Sequence, residues 1–322
     1  MINGELIDLA AGDYRARIAT SGATLVHLRR AGSDLVIPFD AEVSLPEGWQ
    51  GKTLVPWPNR IVGARYAYRG QEYPVPCNEP ETGSALHGLV GWADFQVVAT
   101  SAGDAGGGAD AAGDAPSSVA LELTLPGSYA YPWSLQVDVR FALDARTGLT
   151  VAVTTTCLGA GAPAAPDAES DGLLAPAPYG VSFHPYLTRS VPLDECVLQV
   201  PAARVLDVDE RMAPAAERDV AGTDWDWRAG RPVGAVSTDN AYTGLPQGPW
   251  EVRLTGGEAG STVVLSAEAP WVQVYTAEHL GRRGVAVEPM TCPPDAFNSG
   301  RDLVELEVGR SHSFSYSLRE DD

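Results

Sequence analysis

Two apolar runs in this chain each end in an ionisable residue. Val181-Ser182-Phe183-His184-Pro185-Tyr186 carries an imidazole, and Ala286-Val287-Glu288-Pro289 carries a carboxylate. A hydrophobic strand that closes on one such residue delivers it to the edge of a cleft. A His and a Glu in one cleft form an acid/base couple. Glu288 sits against apolar neighbours, with Pro289 and then Pro293-Pro294 stiffening the chain beyond it. Partial desolvation there would raise its pKa and make it a better base near neutral pH. The structural alternative is an ion pair with Arg282 or Arg283.

Strand alternation puts Ser182, His184 and Tyr186 on one face and Val181 and Phe183 on the other. In Trp271-Val272-Gln273-Val274-Tyr275-Thr276 it separates Gln273 and Tyr275 from Val272 and Val274. The ordinary reading of such polar rows is a half-solvated sheet surface. Asn59-Arg60, enclosed by Pro56, Pro58 and Ile61, offers an amide and a guanidinium on a stiff loop, donors that suit vicinal hydroxyls or carboxylates. Leu86-His87-Gly88 supplies a second imidazole with Trp92 close by, although a lone His is more often structural. Asp239-Asn240 is either a further polar contributor or a plain turn.

The elements that must position these groups read as strands. Thr24–Leu28, Val119–Leu125, Leu135–Leu143, Leu149–Thr156, Val181–Leu187, Val252–Leu254, Thr262–Leu265, Trp271–Thr276 and Gly284–Val287 are short, alternating or apolar, and bounded by turn formers. Tyr66 to Tyr73 reads as a hairpin turning at Arg69-Gly70. No long amphipathic helical window competes. With 34 Gly and 25 Pro in 322 residues, the expectation is a large antiparallel all-β protein. The low-complexity stretches 101–118 and 159–178 are taken as flexible surface loops, because strands of one character flank both. The chain is then a single domain over 1–322.

Composition narrows the partners. Lys plus Arg number 22 against 42 Asp plus Glu, a formal charge of −20, which argues against nucleic acid and anionic membranes. No run of 18 apolar residues suggests a membrane span, and no basic, apolar leader opens the chain. Cys77, Cys157, Cys196 and Cys292 are far apart, so reduced thiols and a cytoplasmic location are expected. The five His show no metal-ligand spacing, and no nucleophile elbow or phosphate-binding glycine loop is present. No metal or other cofactor is expected.

Taken in order, several pieces resemble the aldose 1-epimerase (galactose mutarotase) family. They are Asn59-Arg60-Ile61 with Gly63 and the Tyr66–Tyr73 hairpin, Leu86-His87-Gly88, His184 with Tyr186, Asp239, Val272-Gln273-Val274-Tyr275-Thr276, and Glu288. The agreement runs over nearly the whole chain. The resemblance implies a β-supersandwich that interconverts the α and β anomers of free aldoses without a cofactor. It makes His184 the general acid at the ring oxygen and Glu288 the base at the anomeric hydroxyl. Asn59, Arg60, His87, Tyr186, Asp239 and Gln273 would hold the sugar.

Two departures from the family's pattern, Trp57-Pro58 before Asn59 and Pro185-Tyr186-Leu187-Thr188 after His184, fall near the presumed pocket and bear on sugar specificity. A hexose-6-phosphate epimerase is the second enzyme reading and would need added basic groups, for which Arg65 or Arg69 could serve. A non-catalytic sugar-binding protein is the third, and retention of both His184 and Glu288 speaks against it. The expected partner is a small sugar, neutral rather than phosphorylated, bound by a monomer or homodimer.

Overall fold

A computed structural model describes residues 1–101, 115–160, 175–256 and 260–321. The period-2 pattern appears directly in the Trp133–Asp144 strand. Leu135, Val137, Val139, Phe141 and Leu143 are buried, while the residues between them are not. This strand pairs with Ser118–Leu125 on one side and Gly148–Ala160 on the other. They belong to a nine-stranded sheet that continues through Ser311–Asp321, Thr262–Ala267 and Trp250–Thr255.

A second, eight-stranded sheet carries Gln273 and Glu288. Its central order is Asp239–Thr243, Trp271–Tyr275, Val285–Met290, Ser182–Phe183 and Thr53–Leu54, with Tyr186–Leu187 also pairing to Val285–Met290. Val272, Val274, Val285 and Val287 join Phe183 in the core on one face of this sheet. The Phe183 ring lies 4.8 Å from Tyr316 and 6.0 Å from Phe314 of the nine-stranded sheet. Burial of each such side chain contributes about 1.5–3 kcal/mol. The largest buried cluster draws on residues from Ile7 to Leu318.

The named strand pairs are antiparallel, and the all-β expectation holds. Among the described residues, the single α-helix is the four-residue Ala296–Ser299, and no helix is long and apolar enough to cross a membrane. The hairpin forms from Arg65–Tyr68 and Gln71–Pro74, with Arg69 at φ 49 and Gly70 at φ 80. Two positive φ values at a two-residue turn match the twist of the flanking strands.

Three sequence expectations need correction. Val181–Leu187 is not one strand but two short ones, Ser182–Phe183 and Tyr186–Leu187. Pro185 has no N–H to give a ladder, and the His184 backbone turns to another partner. The Gly51 N–H donates to the His184 carbonyl at 2.9 Å, and the His184 N–H donates to the Lys52 carbonyl at 3.0 Å. The surface-loop bounds are too wide. Ser101 and Ser118 are strand residues, one strand runs on to Ala160, and Ala177–Tyr179 pairs with Val304–Leu306. Residues 102–114 and 161–174 lie outside the described ones. Finally, Ser182, His184, Tyr186 and Gln273 do not form a half-solvated surface; all four are buried.

Candidate active site

Strand register brings His184 and Glu288 together. Ser182 pairs with Met290 and Tyr186 with Ala286, so His184, midway between the first two, falls opposite Glu288, midway between the others. Glu288 in turn pairs with Gln273 on the next strand. The neighbouring row runs Tyr186, Ala286, Tyr275 and Asp239. Because side chains alternate faces, these polar residues all leave the face opposite the core.

Two other pieces of chain close the cleft. Arg60–Ile61 pairs with Ala85–Leu86 and presents Asn59, Arg60 and His87. Asn59 and His87 both take positive φ, 51 and 62. That left-handed geometry lets the His87 N–H donate to the Asn59 carbonyl at 2.8 Å while the Asn59 N–H donates to His87 Nδ1 at 3.2 Å. The short turn Glu47–Trp49 covers a further side, and the Tyr186 hydroxyl donates to the Gly48 carbonyl at 2.7 Å.

The resulting cleft has a volume of about 210 Å³ and is lined by all eight residues expected from the sequence: Asn59, Arg60, His87, His184, Tyr186, Asp239, Gln273 and Glu288. Wider hollows beside Trp225, about 650 Å³, and beside Arg146, about 550 Å³, contain none of them. Cleft residues with weak or no sequence signal are Trp49, Glu79, Tyr275 and His279. Alternation did place Tyr275 on the polar face. Glu79 and Trp49 sit outside the apolar strands, so no periodic pattern points to them.

Glu288 Oε1 lies 3.3 Å from His184 Nε2, and both side chains are almost wholly buried. Glu288 Oε2, His184 Nδ1 and Gln273 Oε1 are buried and make no hydrogen bond to the protein. Burial pushes the Glu288 carboxyl well above its ordinary range, the nearby Asp239 adds to that, and Arg60 offsets part of it. Burial drives His184 the other way, to about 3. The direction is opposite for His184 because an imidazolium is the charged form that burial penalises.

Asp239 is also raised by burial, and the Arg60 charge and a 2.7 Å bond from Gln273 Nε2 oppose this. Arg60 is held by a two-point fork to Glu79, both contacts at 2.7 Å. Burial alone would raise Glu79; the fork and the Thr82 hydroxyl hold it low. The ion pair of Glu288 with Arg282 or Arg283 does not form. Arg282 bonds Asp194 and Glu278, and Arg283 donates to the Leu280 carbonyl.

His87 is a different kind of histidine from His184. A ring nitrogen that accepts a backbone N–H must carry its lone pair, so the neutral ring keeps its proton on Nε2. Protonating Nδ1 would set two N–H groups against each other. Burial and the neighbouring His184 also hold His87 well below the ordinary histidine range. His87 thus presents a fixed N–H to the cleft. The donor atoms of His87, His184 and Glu288 lie within 4.8 Å of one another. His87, however, offers that cluster a hydrogen-bond donor rather than a lone pair for a metal, which suits a hydroxylated ligand.

Of the two departures from the family's pattern, one is moved out of the pocket. Trp57 is buried in the core, edge-on to Phe297 at 5.6 Å. In the other, Tyr186 lines the cleft, stacked on His184 at 4.9 Å, while the Thr188 hydroxyl bonds the Arg283 carbonyl.

Comparison with known proteins gives the family and the fold. Residues 5–319 match the family model for aldose 1-epimerase. The uncharacterized protein YihR of Escherichia coli K12 is 39% identical over 317 residues, covering 98% of this chain and 93% of that protein. Among solved structures, the GalM/aldose epimerase homologue from C. elegans superposes with a TM-score of 0.80 at 21% identity, covering 98% of each chain. Galactose 1-epimerase from Lactobacillus acidophilus NCFM superposes with a TM-score of 0.79 at 16% identity, covering 100% of this chain and 96% of that one. Both share the β-supersandwich fold. The chain belongs to the aldose 1-epimerase family and is an isomerase of that family.

Proposed function

We propose that this protein interconverts the α and β anomers of a free hexose by acid/base ring opening and reclosure, and that the whole chain acts as one domain. The observation that carries the reading is the buried His184–Glu288 contact at 3.3 Å, facing a cleft lined with Asn59, Arg60, His87, Asp239 and Gln273. With the couple's one proton passed across the 3.3 Å contact from Glu288 to His184, the Glu288 carboxylate takes the anomeric hydroxyl proton as the C1 carbonyl forms. The C1–ring oxygen bond breaks, and His184 protonates the departing oxygen. Rotation about C1–C2 and reclosure with the roles reversed returns both protons and yields the other anomer. After ring opening the couple holds a carboxylic acid and a neutral imidazole. This is the arrangement that burial favours for both groups, so the cleft stabilises the state that accompanies the open chain. Polarimetry on freshly dissolved, anomerically pure glucose and galactose tests the reading. Equilibration no faster than the uncatalysed background would refute it.

The couple needs one shared proton. Lowering pH through the depressed His184 value, about 3, adds a second proton, while raising pH through the elevated Glu288 value removes the only one. The kcat/KM profile should therefore keep its plateau well below pH 6.5 before the acid limb begins. An acid limb centred near 6.5 would contradict the burial argument.

A neutral substrate is supported by the cleft's charges. Arg65 and Arg69 do not line it, and Arg69 instead bonds Tyr68 and Glu305. Its guanidinium, Arg60, is taken up by Glu79, with Asp239 and Glu288 nearby. A neutral hexose should show higher kcat/KM than its 6-phosphate at moderate salt, and the reverse order would promote the sugar-phosphate epimerase reading.

A further inference from the structure

We propose that Trp49 is the residue on which the sugar's apolar C–H face stacks, and that it sets specificity for the substrate's ring face. This inference rests on the sugar-isomerase reading above. Most of the cleft lining, such as Arg60, Glu79, His184, Asp239 and Glu288, can satisfy hydroxyls but offers little to carbon. Of the other aromatic rings there, Tyr186 is stacked on His184 and Tyr275 on His279. A pyranose has a hydroxyl rim and C–H faces, and a binding site must desolvate both. Trp49 supplies the broadest carbon surface in the lining.

The local structure exists to hold that ring in place. Trp49 is a bulky residue at φ 62, a conformation that costs energy and persists only where the surroundings over-determine it. They do so here. Tyr186 bonds the Gly48 carbonyl at 2.7 Å, and the Glu47 N–H donates to the Gln50 side chain at 3.1 Å. The Lys52 N–H donates to the Trp49 carbonyl at 3.1 Å, and Gly51 and Lys52 bond both sides of the His184 backbone. Residue 91 is glycine, and a Cβ there would come within 2.6 Å of Trp49 Cζ3, so the backbone is cut away to seat the ring. Yet Trp49 stays half-buried rather than entering the core.

Its neighbours fix the ring's angle. His87 meets it edge-on at 5.1 Å. Behind it stands Trp92 at 5.5 Å, which is itself held by the Lys52 ammonium 4.3 Å from its ring. Lys52 is wholly buried and anchored on the Ser21 carbonyl at 3.0 Å. The wall from Lys52 through Trp92 to Trp49 therefore ends on a rigid aromatic surface beside the donor His87.

Stacking is shared by ground and transition states, so Trp49→Ala should raise KM for glucose or galactose by roughly tenfold or more while kcat changes by less than about threefold. Trp49→Phe keeps a flat aromatic face and should hold KM within about fivefold, but the change in tryptophan fluorescence on titration with galactose should disappear. An unchanged KM in Trp49→Ala overturns the proposal. A fall in kcat at constant KM also overturns it, because the turn would then merely prop His184. So does a galactose-dependent fluorescence change that survives intact in Trp49→Phe. If the wild-type protein equilibrates no aldose but shows a galactose-dependent signal that Trp49→Phe removes, the stacking role stands and the mutarotase reading falls.

Discussion

Glu288→Gln is expected to cut catalysed anomerisation by roughly 10²–10⁴-fold, the range for loss of a positioned general base, while sugar binding persists. The amide keeps the size of the carboxyl and can still hydrogen bond across to His184 Nε2, 3.3 Å from the native oxygen. It cannot take the anomeric proton. Stability separates this from damage to the fold. The native carboxyl is buried, raised well above its ordinary pKa, and placed near Asp239. By linkage, a carboxyl whose folded pKa lies above the unfolded one stabilises the fold below the unfolded value and loses that contribution as pH rises through the folded value. Burial penalises the ionised form of this side chain, and Gln carries no such charge. The variant should unfold at the same or higher temperature than wild type. Near-wild-type rates in polarimetry would end the assignment of Glu288 as base. A lower unfolding temperature would instead trace the lost activity to the fold.

Much of this fold was legible because its strands alternate. Leu135 to Leu143 carries the two-residue period that a half-buried sheet requires, Thr262 to Leu265 is a short run buried on both faces, and both appear as strands within a residue or two at their ends. Alternation also set Gln273 and Tyr275 apart from Val272 and Val274, and the cleft contains the first pair while the core contains the second. It failed where the backbone has partners that a pattern cannot show. Val181 to Leu187 alternates like a strand, yet Pro185 and the bonds from His184 to Gly51 and Lys52 break it in two.

Arg60, His184 and Glu288 stood out because each interrupts an apolar or rigid stretch. Glu79, Trp49 and His279 did not, because each lies on a turn or loop whose position depends on contacts distant in sequence. Glu79 is made part of the site by the Arg60 fork, and Trp49 by the space at Gly91. The direction of the His184 shift was also hidden. A sequence shows an imidazole next to aromatic and aliphatic residues, but the extent of its burial depends on strands that fold over it from elsewhere.

His184→Asn is the other change with a large expected effect, a loss of roughly 10²–10⁴-fold in rate for removal of a general acid. The fold should survive, because the bonds that place residue 184 run through its backbone to Gly51 and Lys52, and Asn retains these. Replacing His87 supplies the contrast. With Nδ1 accepting the Asn59 N–H at 3.2 Å, His87 can donate from Nε2 but cannot cycle a proton near neutral pH. His87→Gln places an amide N–H close to the Nε2 position, so its main effect should be on KM, with kcat largely kept. The two substitutions thus separate proton transfer from hydrogen bonding within one edge-on pair of rings, 5.1 Å apart. If His184→Asn kept near-normal rates while His87→Gln lost them, the acid would have to be His87, and the fixed tautomer drawn from the Asn59 bond would be wrong.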